Sequence, residues 1–216
     1  MKIFKLLVSP DNGFQAITDS PPQDLLERDL YTEYKFNSID SIRLDLDKGA
    51  KITDVLNVGT INLDGFPIRN KFCDILNDFN LFKIQFVDII DRDLNDYKFM
   101  FFNSDLTYNI DYQKSDFILV EDILGDITEL DEKIAPNRDA VLKAYDEFCS
   151  EDIFNRLVPQ NGYQFLSDFN IEEYDVFRIG HFDLSFYVSE KVKNALESNN
   201  ITGVEFIEQP LFNTKQ

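Results

Sequence analysis

The chain has 216 residues, of which 40 are acidic and 21 basic, giving a formal net charge of −19. Such a field repels nucleic acid and anionic membrane, which excludes both as partners, and it speeds encounter with a basic one. A hydrophobic fraction of 44%, with 21 phenylalanines, is ample for a core and excludes disorder over most of the chain.

Residues 2–8 read as a strand. The apolar run Leu6-Leu7-Val8 ends at Pro10 and Asp11. That is short of the roughly 7–15 apolar residues of a signal-peptide core. No run approaches the roughly 18–20 residues of a membrane span. A cytoplasmic protein is expected, with Cys73 and Cys149 as free thiols rather than a disulfide framework. The sequon Asn200-Ile201-Thr202 then carries no weight. Asp11-Asn12-Gly13 suggests a hairpin pairing residues 13–17 with the first strand. Ser20-Pro21-Pro22-Gln23-Asp24 suggests a helix start, with Leu25, Leu26 and Leu30 on its buried face. Ile42, Leu44 and Leu46 alternate with polar neighbours, as in a strand near a sheet edge.

Residues 97–102, YKFMFF, are too apolar to face water on either side and predict a central strand. Residues 117–120 form a further short apolar run. Ala140, Val141, Ala144, Tyr145 and Phe148 form one stripe of a helix over about 137–149. A short continuation capped by Ser150 is expected to end before Pro159. Residues 163–166 and 174–179 read as strands, and the polar tail 209–216 as frayed.

Two stretches repeat each other. In residues 183–208, Leu184, Phe186 and Val188 alternate as a strand, Ser189 sits where a helix cap belongs, and Val192, Ala195 and Leu196 fall on one helical face. Asn199 and Asn200 stop the helix. Gly203 eases the turn into a second strand. Residues 63–89 follow the same pattern at an offset of 120, with Lys71, Leu76, Asn80 and Phe86 identical to Lys191, Leu196, Asn200 and Phe206.

Motifs for chemistry are few. The one histidine, His181, would have to serve any Ser-His or Cys-His arrangement, and neither a nucleophile elbow nor a cysteine motif accompanies it. Asp91-Arg92-Asp93-Leu94-Asn95-Asp96 imitates a calcium loop. It has Asp96 where the turn needs glycine and Phe102 where a bidentate Glu belongs. Asp131-Glu132-Lys133, with Asp122 upstream, imitates half of a metal-dependent nuclease, but the negative field opposes a phosphate substrate. Walker and dinucleotide fingerprints are missing. The acid-rich stretch 121–132 interleaves carboxylates with Ile123, Leu124, Ile127 and Leu130. It reads as an ordered segment packed on one side and charged on the other. Its Asp122, Asp126, Glu129, Asp131 and Glu132 are either a plain solvated face or a docking surface for a basic protein.

The phrases Val176-Phe177-Arg178-Ile179, Phe186-Tyr187-Val188-Ser189-Glu190-Lys191 and Ile201-Thr202-Gly203-Val204-Glu205-Phe206 resemble a bacterial family of polymorphic-toxin immunity proteins, immunity family eleven, formerly a domain of unknown function. Gly65-Phe66-Pro67-Ile68-Arg69-Asn70-Lys71-Phe72 through Phe86 resembles its upstream phrase, with Asn70 near the usual Ser. The resemblance covers about residues 60–110 and 174–208. It implies an antidote that binds a cognate toxin, with no catalytic residues.

The expectation is an α+β fold with a mixed, mostly antiparallel sheet, few helices and the strand–helix–strand pseudo-repeat. One domain over 1–216 is expected, divisible at most into lobes 1–115 and 116–216. No catalytic residue, metal or cofactor is expected. A metal-dependent hydrolase built on the carboxylates and a non-catalytic adaptor domain are the alternatives.

Overall fold

A computed structural model describes residues 2–9, 16–17, 41–58, 64–91, 93–123, 126–150, 152 and 154–212. The fold is α+β, with mostly antiparallel sheets and few helices. Its centre is the repeated unit. In the first copy, strand β5 (Gly65–Arg69) runs directly into helix α1 (Asn70–Leu76) and returns as β6 (Ile84–Ile90). In the second, β12 (Asp183–Ser189) runs into α4 (Glu190–Ser198) and returns as β13 (Val204–Glu208). Each pair of parallel strands is held apart by an antiparallel one. In the first copy this is β7 (Tyr97–Phe102), which pairs with both β5 and β6. In the second it is β1 (Ile3–Val8), which pairs with both β12 and β13.

The match extends to the register. Met100 pairs with Phe66 and Phe86, and Leu6 pairs with Phe186 and Phe206. Helix starts match too. The Asn70 N–H bonds the Asp96 carbonyl just ahead of β7, and the Glu190 N–H bonds the Lys2 carbonyl just ahead of β1. The turns before the second strands match at Lys83 (φ 49°) and Gly203 (φ 87°). At Gly203 a Cβ would meet the Val55 carbonyl oxygen at 2.3 Å, so this copy needs glycine. The copies differ at the helix cap. Ser189 Oγ accepts from the Val192 N–H, whereas Arg69 stands at the equivalent place without a side-chain cap.

The first copy is extended by β3 (Ser41–Arg43), parallel on β6, and the second by β11 (Val176–Gly180), antiparallel on β12. Strand alternation then sorts the side chains. Phe66, Ile68, Met100 and Phe102 from one sheet and Leu6, Val176 and Val188 from the other enclose a central core with Phe72, Leu76, Val192 and Leu196 of the helices. Each large side chain so buried contributes on the order of 2 kcal/mol. Behind one sheet, Ile42, Leu44, Leu56, Val87 and Phe99 form a second core. Behind the other, Phe177, Ile179 and Tyr187 meet helix α3 (Arg138–Ala144) and the sheet of β8 (Phe117–Ile123), β9 (Asp126–Glu129) and β10 (Asn155–Pro159). Strand β7 lies between two cores, which is why it carries aromatic residues on both faces.

Two aspartates bind the copies to each other. Asp175, just before β11, accepts from Asn80 N–H at 3.2 Å and Ser189 Oγ at 2.8 Å. Asp54 stands in the equivalent position, ahead of the bridge Val55↔Ile68. It accepts from the Thr202 N–H and hydroxyl, both at 2.9 Å, and pairs with Arg69 at 3.2 Å and Lys71 at 3.5 Å. Each aspartate therefore ties down the helix-to-strand loop of the other copy.

Several expectations need correction. Strand β1 does not form a hairpin with the next strand. Both its edges are taken by β12 and β13, and β2 (Ala16–Ile17) pairs with β4 (Asp45–Leu46) instead. The turn at Asp11-Asn12-Gly13 and the helix start at Ser20–Asp24 lie outside the described residues. Thus β1, from the first half of the chain, sits inside a sheet of the second. Residues 155–159 are strand β10, not a helical continuation, because they pair along β8. Residues 163–166 make one bridge, Ile110↔Phe165, rather than a strand. The tail is docked as far as Phe212, which is 6% exposed and stacks on Tyr163 at 5.0 Å. No helix among the described residues is long and apolar enough to cross a membrane.

Burial alone would raise the Asp54 carboxyl, but the bonds from Thr202 and the charges of Lys71 and Arg69 outweigh it and hold it below its ordinary value. Its contribution is complete above the unfolded carboxylate pKa of about 3.9 and fades as pH falls through the folded value. Asp54→Asn should cost about 1–3 kcal/mol at neutral pH in denaturant melts. The gap from wild type should narrow as the melts are repeated below about pH 4.

Candidate functional site

Strand β9 is an edge of the sheet β10–β8–β9. Burial along β8 falls from Phe117 and Leu119, in the outer core, to Ile123, which is 45% exposed. The β8–β9 hairpin has by then run past the core beneath it. All four residues of β9 are exposed, and Ile127 is 67% exposed. This corrects the expectation of a segment packed on one side: of the described aliphatics at its end, only Leu130 packs against the outer core.

The structure brings four of the five named carboxylates together on this exposed stretch. Asp126 and Glu129 lie on β9, and Asp131 and Glu132 follow it. Asp122 is different. Its side chain is 17% exposed and pairs with Arg156 of β10 at 3.0 Å. It stands opposite Ile127 on β9, and its N–H bonds the Phe154 carbonyl at 2.8 Å. Residues opposite each other across a sheet share a face. Phe154, 42% exposed, and Ile127 therefore flank Asp122, whose partner Arg156 stands opposite Val120 in the neighbouring row. The sequence offered no sign of Phe154 or Arg156, because a cross-strand neighbour becomes visible only once β10 is known to be a strand.

Titratable groups also converge in a cleft of about 570 Å³ bordered by β1, β10 and β12. Its lining includes Lys5, Arg156, Tyr163, Asp183 and Tyr187. Asp183 Oδ2 accepts from the Tyr163 and Tyr187 hydroxyls, each at 2.7 Å, and Oδ1 accepts from the Ser185 N–H at 3.0 Å. Burial pushes both phenols above their ordinary pKa, and the Asp183 charge adds to it. They remain protonated donors near neutral pH, and the cluster fastens the start of β12 to the core.

The other groups singled out by sequence are dispersed. His181 lies in the turn between β11 and β12 at φ 52°, its ring 6.2 Å from that of Tyr145. Cys73 lies in the central core and Cys149 at the end of α3's helical turn. Burial pushes both thiols up to about 11, which keeps them protonated near neutral pH. Asp91 Oδ1 caps the Asp93 N–H at 2.6 Å, and Asp96 pairs with Arg69 at 3.0 Å. Among the described residues, no three His, Cys, Asp or Glu side chains are grouped to hold a metal ion.

No protein-family model matches this chain, and no curated protein matches it.

Tyr187→Phe removes one of the two hydroxyls on Asp183 and should cost about 1–2 kcal/mol. A double-mutant cycle with Tyr163→Phe should be non-additive, since both donate to one oxygen. In an alkaline titration followed by tyrosine absorbance, these two phenols should ionise only as the protein unfolds.

Proposed function

We propose that the protein is a cytoplasmic immunity protein, which binds a cognate bacterial toxin and blocks it without catalysing a reaction. The observation that carries this reading is the exposed β9 stretch. It sets two partly apolar anchors, Ile127 and Phe154, among Asp126, Glu129, Asp131 and Glu132 on a chain of net charge −19. Apolar anchors rimmed by charge suit a protein interface, and a basic toxin face is the complement. The resemblance of residues 60–110 and 174–208 to the immunity family supports the same reading. So do the protonated thiols and phenols, which leave those groups without a nucleophile near neutral pH.

Co-expression with the toxin encoded beside it should restore growth and yield a stable complex. Absence of both, with every neighbouring toxin, rejects the proposal. A complex without restored growth indicates an adaptor instead. Reversing charge at Asp126, Glu129, Asp131 and Glu132 should slow association about tenfold at low salt and flatten its salt dependence. Stopped-flow rates equal to wild type would release this stretch from the role. Asp122 is left intact in that variant, because its reversal would break the pair with Arg156.

A further inference from the structure

The backbone of β9 determines how a partner can be held there, granted the docking role just proposed. Leu130 N–H bonds the Leu119 carbonyl at 3.0 Å. Hydrogen-bonded pairs alternate along an antiparallel ladder. By that parity Glu121–Thr128 and Ile123–Asp126 are bonded pairs, while Asp122–Ile127 and Val120–Glu129 are not. The bond from the Asp122 N–H to the Phe154 carbonyl on the far side of β8 follows the same parity. Ile127 and Glu129 thus turn their N–H and C=O groups outward, at the edge of the sheet that no strand among the described residues covers.

Edge strands are commonly guarded by charged side chains, by proline or by a bulge. Residues 126–129 carry neither proline nor a bulge, and their pairing with β8 is regular. Their guard is a carboxylate on each face, which repels an acidic strand and admits a basic one. Glu129 lies on the face of Ile127, and Asp126 lies on the opposite one. We propose that a basic strand of the partner protein adds to the edge of β9, bonding Ile127 and Glu129 through its main chain. One lysine or arginine of that strand meets Asp126 and another meets Glu129. An apolar residue beside Ile127 continues the row begun by Phe154 and Asp122. Charge selects this occupant over a second copy of the chain. A second copy would bring the same acidic edge, with Asp126, Glu129, Asp131 and Glu132, against itself on a chain of net charge −19, and like charges repel.

The test uses the full chain and three blocked heptapeptides, with amide hydrogen exchange read by NMR. The first contains lysine, threonine and valine, and the second has glutamate for lysine. The third is the lysine peptide with alternate amides N-methylated, which keeps the charge and removes main-chain donors. At saturation the lysine peptide should slow exchange at Ile127 and Glu129 about tenfold or more, with little change at Thr128, already bonded to β8. The other two peptides should not. Equal protection by the N-methylated peptide, protection confined to other strands, or none at saturation overturns strand addition. Ile127→Pro removes an outward N–H and leaves the β8 ladder intact, as edge positions allow. It should keep the wild-type circular dichroism and abolish Glu129 protection, and unchanged protection overturns the proposal. Growth rescue without edge protection rejects strand addition alone, whereas edge protection without rescue rejects the immunity reading alone.

Discussion

The exchange of aspartates between the two copies is the constraint on which the rest of the fold depends. Asp54 and Asp175 each leave one strand–helix–strand unit and hold the helix-to-strand loop of the other. A carboxylate buried this far is stable only with donors and cations around it. Thr202, Arg69 and Lys71 supply them at Asp54, and Asn80 and Ser189 supply them at Asp175. Apolar packing between the copies is non-directional and would tolerate many relative poses. The two clamps select one, and that pose sets the central core and the outward faces of both sheets.

Much of this was legible in the chain and some was not. A continuous apolar run revealed β7, alternation revealed β12, and the stripe ending at Phe148 revealed α3 and its final turn. The pseudo-repeat was legible because apolar positions agree in phase across strand, helix and strand. Its middle strand was hidden. Tyr97 and Ile3 are equivalent in register, yet one lies after its unit and the other far ahead of it, so no constant offset links them. The clamps were nearly visible: Asp54-Val55 and Asp175-Val176 repeat at an offset of 121, one residue out of phase with the rest. At the candidate site, the carboxylates of 126–132 could be named from sequence, but the withdrawal of Asp122 into a pair with Arg156 could not. It depends on β10, which pattern reasoning took for a helix end.

The acidic character is unevenly used. Inside the fold, carboxylates are structural acceptors: Asp54, Asp105, Asp175 and Asp183 are each tied to named donors. Arg138 shows the same economy, reaching Asp105 at 3.3 Å while lying 3.8 Å over the Tyr108 ring. Around β9 the side chains of Asp126, Glu129, Asp131 and Glu132 are instead open to solvent, and among the described residues β9 is paired on one side only. The repeated units form the base, and the three-stranded sheet carries the exposed acidic edge.

The origin of β1 has a consequence for how the chain folds. The first unit gathers its strands from residues 65–102, so it can close as soon as that span exists. Strand β1 is made before that span and has both its neighbours at 183–208. Until those residues emerge, Leu6 and its neighbours have no sheet to join, and bringing such distant segments together carries a loop-closure entropy cost. Closure of this sheet therefore waits on the capture of an early segment by one made about 180 residues later, which leaves the apolar residues 3–8 without their partners in the meantime.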